Sequence, residues 1–254
     1  MTISLITATY NSAATLDDTL ASIARQNVPD LEVLIQDGGS TDATLEIAAR
    51  YPFTEVASEP DNGLYDAMNK GIARAQGDIV GILNSDDFYA ADDILATVRR
   101  AFAEEPALDA VYGSLQFVDP EDTGRVVRDW QSEPYRHDAW RRGWMPPHPT
   151  FFVRRSVYER FGGFNEQLRI AADYEFMLRC CYVNRIRVKR IPRTMVYMRA
   201  GGVSNSSVMN RLRVVWECTR AWPINGLRAP LLFPLLKPLR KWRQFTSTAT
   251  VAPQ

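Results

Sequence analysis

Three times within about the first 85 residues, an apolar run rich in β-branched side chains stops at polar residues, and helical patterns separate these runs. ISLITAT, residues 3–9, ends at Tyr10-Asn11, after which Leu16, Leu20 and Ile23 recur on one helical face and Thr15 and Asp18 are spaced as a cap. EVLIQ, residues 32–36, ends in Asp37-Gly38-Gly39 and is followed by a helical pattern with Leu45, Ile47 and Ala48. LYDAMNKGIARA reads as a further helix, and DIVGIL as the strand that ends at Asn84-Ser85-Asp86-Asp87. Unbroken apolar runs of this length suit strands covered on both faces, and strands alternating with helices build βαβ units. The fold class expected is therefore α/β, with a mostly parallel central sheet.

Beyond residue 100 the pattern mixes. AVYGSLQFVD and TFFVRRSVY read as strands and EFMLRCCYV as a helix, while residues 120–150 are rich in Pro, Trp, Arg and Asp and read as a long functional loop. A chain of 254 residues that is 46% hydrophobic and 24% charged suffices for one sizeable core, which argues against disorder and coiled coil. The formal net charge of zero conceals an asymmetry. Residues 205–254 carry eight Lys/Arg against the single acid Glu217, leaving the first 204 residues seven charges negative. This divides the chain into a main domain, 1–204, and a basic C-terminal extension, 205–254. Cys180, Cys181 and Cys218 lack disulfide or metal spacing and suit a reducing compartment. The chain opens without a basic region ahead of its apolar residues, and no run approaches the roughly 20 apolar residues of a membrane span. The expectation is a cytoplasmic protein, peripheral at the inner face of the membrane if the basic extension meets it.

In an open α/β sheet, ligands bind beyond the carboxyl ends of the strands, where Thr9-Tyr10-Asn11, Asp37-Gly38-Gly39 and Asn84-Ser85-Asp86-Asp87 all fall. Adjacent carboxylates repel each other and resist burial, but a divalent cation shared with a ligand diphosphate reverses that balance, and oxygen ligands suit Mg²⁺ or Mn²⁺. Taken singly, each motif has a plainer reading. NSDDFY is compatible with a helix-capping turn, and DGGSTD with a turn followed by an N-cap.

Together, TATYNSAATLDDTLASIARQ, EVLIQDGGSTDATLEI, DNGLYDAMNKGIARAQGDIVGILNSDD and GGFNEQLRIAADYEFMLR resemble, in order and spacing, the family 2 glycosyltransferases of the GT-A fold. SEPDNGLYDAMNKG and GGVS look most like the branch that builds exopolysaccharides such as colanic acid. The resemblance covers roughly residues 1–204. It implies a single GT-A domain, Rossmann-like, and inverting, metal-dependent transfer of a sugar from a UDP-, GDP- or dTDP-linked donor to a saccharide or lipid-linked acceptor. By the same resemblance Thr9, Tyr10, Asn11, Asp37 and Gly38 hold the nucleotide, and Asp37 bonds its base. Asn84, Ser85, Asp86 and Asp87 match the DxD-type motif, with Asp86 nearer the ribose and Asp87 the metal ligand. Asn84 departs from the strict motif, and Ala8 stands where many relatives carry Pro. Asp173, in AADYEF, matches the catalytic base, which an in-line displacement needs on the face opposite the departing diphosphate. An N-cap for the following helix is the alternative.

Asp66 and Lys70 suit either donor contact or an i,i+4 ion pair. His148 suits a position near acceptor or metal, or a hydrogen-bonded loop; GGVS, residues 201–204, suits a lid or a turn. The interleaved Leu, Phe, Trp, Arg and Lys of LRAPLLFPLLKPLRKWRQF suit an anionic membrane surface, or a tail packed on the domain. The acidic body and the absence of a recognition motif argue against nucleic acid. Two other functions fit the same architecture: an inactive nucleotide-binding scaffold and a sugar nucleotidyltransferase. TATYNSAAT lacks the Gly- and Arg-rich phosphate loop of the latter.

Overall fold

The computed structural model describes residues 1–201 and 208–242, together with the backbone but not the side chains of 208 and 240–242. Its first half follows the βαβ plan closely. Strand β1 (Ile3–Thr9) leads through α1 (Leu16–Ala24) to β2 (Leu31–Asp37), α2 (Thr44–Ala49), β3 (Thr54–Ser58), α3 (Leu64–Arg74) and β4 (Ile79–Ile82). These strands lie parallel in the order β3-β2-β1-β4, with Thr9 paired to Asp37 and Ile6 to Ile82. Their carboxyl ends are thus level. The chain crosses to the other side of β1 only at β4, and the gap between those two strand ends is a topological switch point.

The second half comprises β5 (Asp87–Tyr89), α4 (Ile94–Glu104), β6 (Ala110–Val118), β7 (Val126–Trp130), β8 (Phe152–Arg154), α5 (Arg155–Phe161), α6 (Ala172–Met177), β9 (Val188–Arg199), α7 (Val208–Ile224) and α8 (Phe233–Trp242). The described residues form one nine-stranded sheet that continues β4-β8-β6-β9-β5, with β7 on β6. The β6–β9 pair is parallel, whereas β8, β5 and β7 run antiparallel to their partners. The stretch 120–150 is therefore not wholly loop: β7 occupies part of it, followed by two short 3₁₀ turns. TFFVRRSVY is strand only as far as Arg154 and then turns into α5. The helix through EFMLRCCYV begins as α6 and widens into a π-helical turn over Leu178–Val183.

Alternation along each buried strand divides the core between the two faces. Ile3 and Leu5 pack with Leu16, Leu20 and Ile23 on one face, and Ile6 and Ala8 with Tyr65, Met68 and the C-terminal half on the other. The segment 205–254 contributes to this core: Cys218, Ala221, Trp222 and Phe233 are buried in it. Residues 243–254, including Arg243, lie outside the described residues. None of the three cysteines forms a disulfide, and all are buried.

Helix α3 lies unusually close to β1. A Cβ at Gly71 would stand 2.4 Å from the Ile6 side chain. Substituting Gly71→Ala is expected to destabilise the fold by about 1–3 kcal/mol through overpacking, against the small gain that alanine brings to a helix interior. A lower urea midpoint at unchanged m-value would show it; an unaltered or raised midpoint would mean that α3 can back away from the sheet without loss.

Candidate active site

Beyond the switch point lies a cavity of about 710 Å³. One wall is made by residues that follow β1 and β4: Asn11, Ser12 and Thr15 from the first, Asn84, Ser85 and Asp86 from the second. These two loops are bonded together. The Ser12 and Ser85 hydroxyls are 2.9 Å apart, and the Thr15 hydroxyl donates to the Ser85 carbonyl at 2.8 Å. Thr15 is thus used across the loops, and its side chain does not cap α1 as the Thr15–Asp18 spacing predicts.

Asp86 and Asp87 face different surroundings. Asp86 lines the cavity, whereas Asp87 is fully buried as the first residue of β5, where it pairs with Met198. One Asp87 oxygen accepts from the Asn84 amide at 2.9 Å, and the other has no hydrogen-bond partner. Burial raises the pKa of both carboxyls. Asp87 is pushed up further by the charge of Asp86, against the Asn84 bond, while Arg199 pulls both partly back. An adjacent pair that resists full ionisation, with one buried oxygen unsatisfied, suits a divalent cation, whose charge would offset both penalties. Among the described residues no group of three or more His, Cys, Asp or Glu is arranged to hold a metal alone. The pair fits a cation that takes its remaining ligands from a bound molecule, as Mg²⁺ does with phosphates.

Asp173 lines the same cavity from the first turn of α6. It is not the N-cap, a place held by Ala171. Tyr65 on α3 donates to the Ile170 carbonyl at 3.0 Å and lies 3.3 Å from Asp173 Oδ1, which orients the carboxylate. His148 also lines the cavity; burial lowers its pKa and the Asp173 charge pulls it partly back. The loop before Asp173 is held by an unexpected residue. Glu217 on α7, the lone acid of the basic segment, accepts the backbone N–H groups of Arg169, Ile170 and Ala171 at 3.2, 2.9 and 3.0 Å.

The other candidate binding residues, Thr9, Tyr10, Asp37, Gly38, Asp66 and Lys70, are not in the cavity wall. Tyr10 is exposed. Thr9 is buried and donates to Asp37 at 3.0 Å. Asp37 is buried and also accepts from the Gly39 and Ser40 backbone and from the Ser40 and Ser58 hydroxyls. Burial alone would raise its pKa, but these bonds outweigh it and hold the carboxyl below its ordinary value. Gly38 follows at the strand end, where a Cβ would strike Asp61. Asp66 and Lys70 form their i,i+4 ion pair at 3.6 Å, and Lys70 also donates to the Pro60 carbonyl. Residues 202–204 of GGVS lie outside the described residues.

Sequence reasoning missed Tyr65, Glu217, Arg199 and Lys237. Arg199 donates to the Asp86 carbonyl at 2.7 Å and pairs with Asp18. Its one sequence signal is its place just before Gly201-Gly202. Buried Arg128 also lines the cavity, its guanidinium 4.0 Å from the Phe117 ring centroid and its pKa lowered by burial to about 10.

A parallel half-sheet with its switch point at β1 and β4, a mixed second half, and carboxylates meeting in the cavity beyond are features this chain shares with solved structures of the GT-A fold. The backbone superposes on Staphylococcus aureus TarS (residues 1–349) with a TM-score of 0.69 at 20% identity, covering 96% of this chain and 72% of that one. For the mannosyltransferase PcManGT from Pyrobaculum calidifontis the TM-score is 0.65 at 22% identity, over 94% and 69%. Residues 4–162 match the family described as glycosyl transferase family 2. A "PGL/p-HBAD biosynthesis glycosyltransferase" of Mycobacterium bovis is 32% identical over 239 residues, 87% of this chain and 90% of that protein. An uncharacterised glycosyltransferase of Mycobacterium tuberculosis is 30% identical over 89% and 87%. The chain belongs to glycosyl transferase family 2.

Proposed function

We propose that this enzyme catalyses inverting, divalent-metal-dependent transfer of a sugar from a nucleotide-linked donor to a saccharide or lipid-linked acceptor, in the synthesis of an exopolysaccharide or cell-envelope glycan. The observation that carries this reading is that Asp86 and Asp173 wall one cavity at the switch point of the sheet. The nucleotide lies toward Asn11, Ser12 and the strand-end network of Thr9 and Asp37. Asp86 faces the donor from the cavity wall with Asn84 and Ser85 beside it, and Asp87, the metal ligand by resemblance, stands behind it with one oxygen unsatisfied. When bound, Mg²⁺ or Mn²⁺ supplies the charge that steadies the leaving diphosphate. Asp173 takes the proton from the acceptor hydroxyl as its oxygen bonds to the anomeric carbon and the bond to the diphosphate breaks. Tyr65 keeps the carboxylate aimed, and Glu217 fixes the loop beneath it. Fold neighbours solved with UDP, with UDP-GlcNAc and with GDP-Man and Mn²⁺ favour the same class of donor.

The test is a thermal-shift screen of UDP, GDP, dTDP and CMP, each with and without Mn²⁺. At about 100 times its Kd, a ligand of the native state alone raises the unfolding midpoint by about 5–10 °C for a chain of this size. One nucleoside diphosphate should do so, more strongly with Mn²⁺. No shift from any of the four would end the proposal.

The membrane face of the reading rests on α7, α8 and the loop between them. Met209, Leu212, Trp216, Leu231, Leu232, Leu235 and Leu239 are all exposed there, among Arg211, Arg213, Arg220 and Arg228. Among the described residues no helix is long and apolar enough to cross a membrane. Exposed apolar side chains interspersed along the chain with arginine suit peripheral contact with an anionic surface on the cytoplasmic side. Replacing Leu231, Leu235 and Leu239 by serine is expected to reduce co-sedimentation with phosphatidylglycerol vesicles at least about tenfold; unchanged sedimentation would remove the membrane from the account.

A further inference from the structure

Lys237 stands apart from the other basic residues of the C-terminal segment. It is only 7% exposed, and it lines the cavity from α8. Its ammonium lies 3.8 Å from the Tyr174 ring centroid, 5.9 Å from that of Phe233 and 3.5 Å from the Met145 sulfur. Among the described residues no carboxylate forms an ion pair with it. Aromatic faces and a thioether compensate a desolvated ammonium only in part, and lysine is rarely buried to this degree unless paired. The position is enforced by the backbone, since a Cβ at Gly143 would stand 2.7 Å from the Lys237 Cα. A buried cation directed into a ligand cavity is an incomplete ion pair awaiting its anion.

The contacts of Lys237 set it apart from the loops that would hold the donor's diphosphate. The groups around Lys237 come from the Gly143–Met145 stretch, from Tyr174 beside Asp173 and from α8, and none comes from the loops after β1 and β4. Lys237 thus belongs with the base, on the side from which the attacking hydroxyl must come. Resting on the function proposed above, we infer that the acceptor is an anionic saccharide, carrying a phosphate ester or a carboxylate close to the hydroxyl that is glycosylated, and that Lys237 binds that group. Trp144, buried beside it in the same wall, supplies an apolar face for the sugar ring.

The test measures binding of three probes to the full chain by calorimetry: glucose 1-phosphate, methyl glucuronide and methyl glucoside. The measurement is made with the donor end filled by whichever nucleoside diphosphate the thermal screen identifies, and repeated without nucleotide. At least one anionic probe should bind about tenfold or more tighter than the neutral glucoside, as expected for one desolvated ionic contact. Lys237→Met should abolish that preference, and Asp86→Asn should preserve it. A preference for the phosphate points to an acceptor linked through phosphate, and a preference for the glucuronide to an acidic sugar. Lys237→Met should unfold no earlier than wild type, because it replaces a buried, unpaired charge with an apolar chain of similar length. Lys237→Gln repeats the measurement should the methionine variant fail to fold. No preference for either anion, a preference that survives loss of Lys237, or one lost in Asp86→Asn would overturn the inference. Failure of every nucleotide to bind while the anion preference holds would instead strike the function proposed above and leave the anion site standing.

Discussion

Asp173→Asn is expected to lower kcat for sugar transfer by about 10²–10⁴-fold while leaving nucleoside diphosphate affinity unchanged. The carboxamide has the size of the carboxylate and keeps the place beside Tyr65, but it cannot take a proton. The acceptor hydroxyl must then lose its proton to water as it attacks, and the rate falls by the amount general-base catalysis contributes. Because Asp173 is in the wall of the cavity and the strand-end loops are elsewhere in it, donor binding should not sense the change. The measurement is transfer or donor hydrolysis alongside nucleotide binding. A variant retaining more than about a tenth of wild-type kcat would remove Asp173 from the chemistry. A wild type that binds nucleotide yet neither transfers nor hydrolyses would favour the inactive scaffold.

Asp86→Asn should cost about 10²–10³-fold in kcat/KM and abolish the advantage that Mn²⁺ confers on nucleoside diphosphate binding. On the proposed function, several kcal/mol of leaving-group stabilisation would depend on a cation that this carboxylate helps to hold, and each 1.4 kcal/mol is about tenfold in rate. Asp87 alone cannot make up the loss, because it is buried and one of its oxygens is already bonded to Asn84. Titrating Mn²⁺ against nucleotide affinity in wild type and variant reads the effect. An undiminished metal response in Asp86→Asn would move the cation site elsewhere.

The elements that could be read from sequence are those whose cause is local. Strands β1, β2 and β4 announce themselves as apolar runs because both faces are buried, and α3 through its periodicity. The short edge strand β3 has partly exposed, polar positions and gives no such signal. Strand β9 is the longest, yet VKRIPRTMVYMR is rich in charge and holds Pro192, which falls where the pairing with β6 shifts register. Only the distant partner makes it a strand. The site divides in the same way. Asn84, Ser85 and Asp86 were legible because a sheet must end somewhere and its carboxyl edge is where ligands meet it. Asn11 shares that logic and takes a left-handed backbone, φ 48°, which lets it bond the loop after β2. Asp37 sits at the expected edge, but its carboxylate is already engaged by five donors, a fact of tertiary contact. Tyr65, Arg199, Glu217 and Lys237 act across the molecule, and nothing in their immediate neighbours marks them.

The grip of Glu217 on the loop before Asp173 also imposes an order of events on a chain made from its amino end. While the ribosome is still short of α7, three backbone amides at that loop lack their carboxylate acceptor, whereas the β1–β4 edge is complete. A nascent chain can therefore complete the β1–β4 edge before the loop leading to Asp173 is fixed, and that loop is secured last, with the helix that also carries the apolar outer surface.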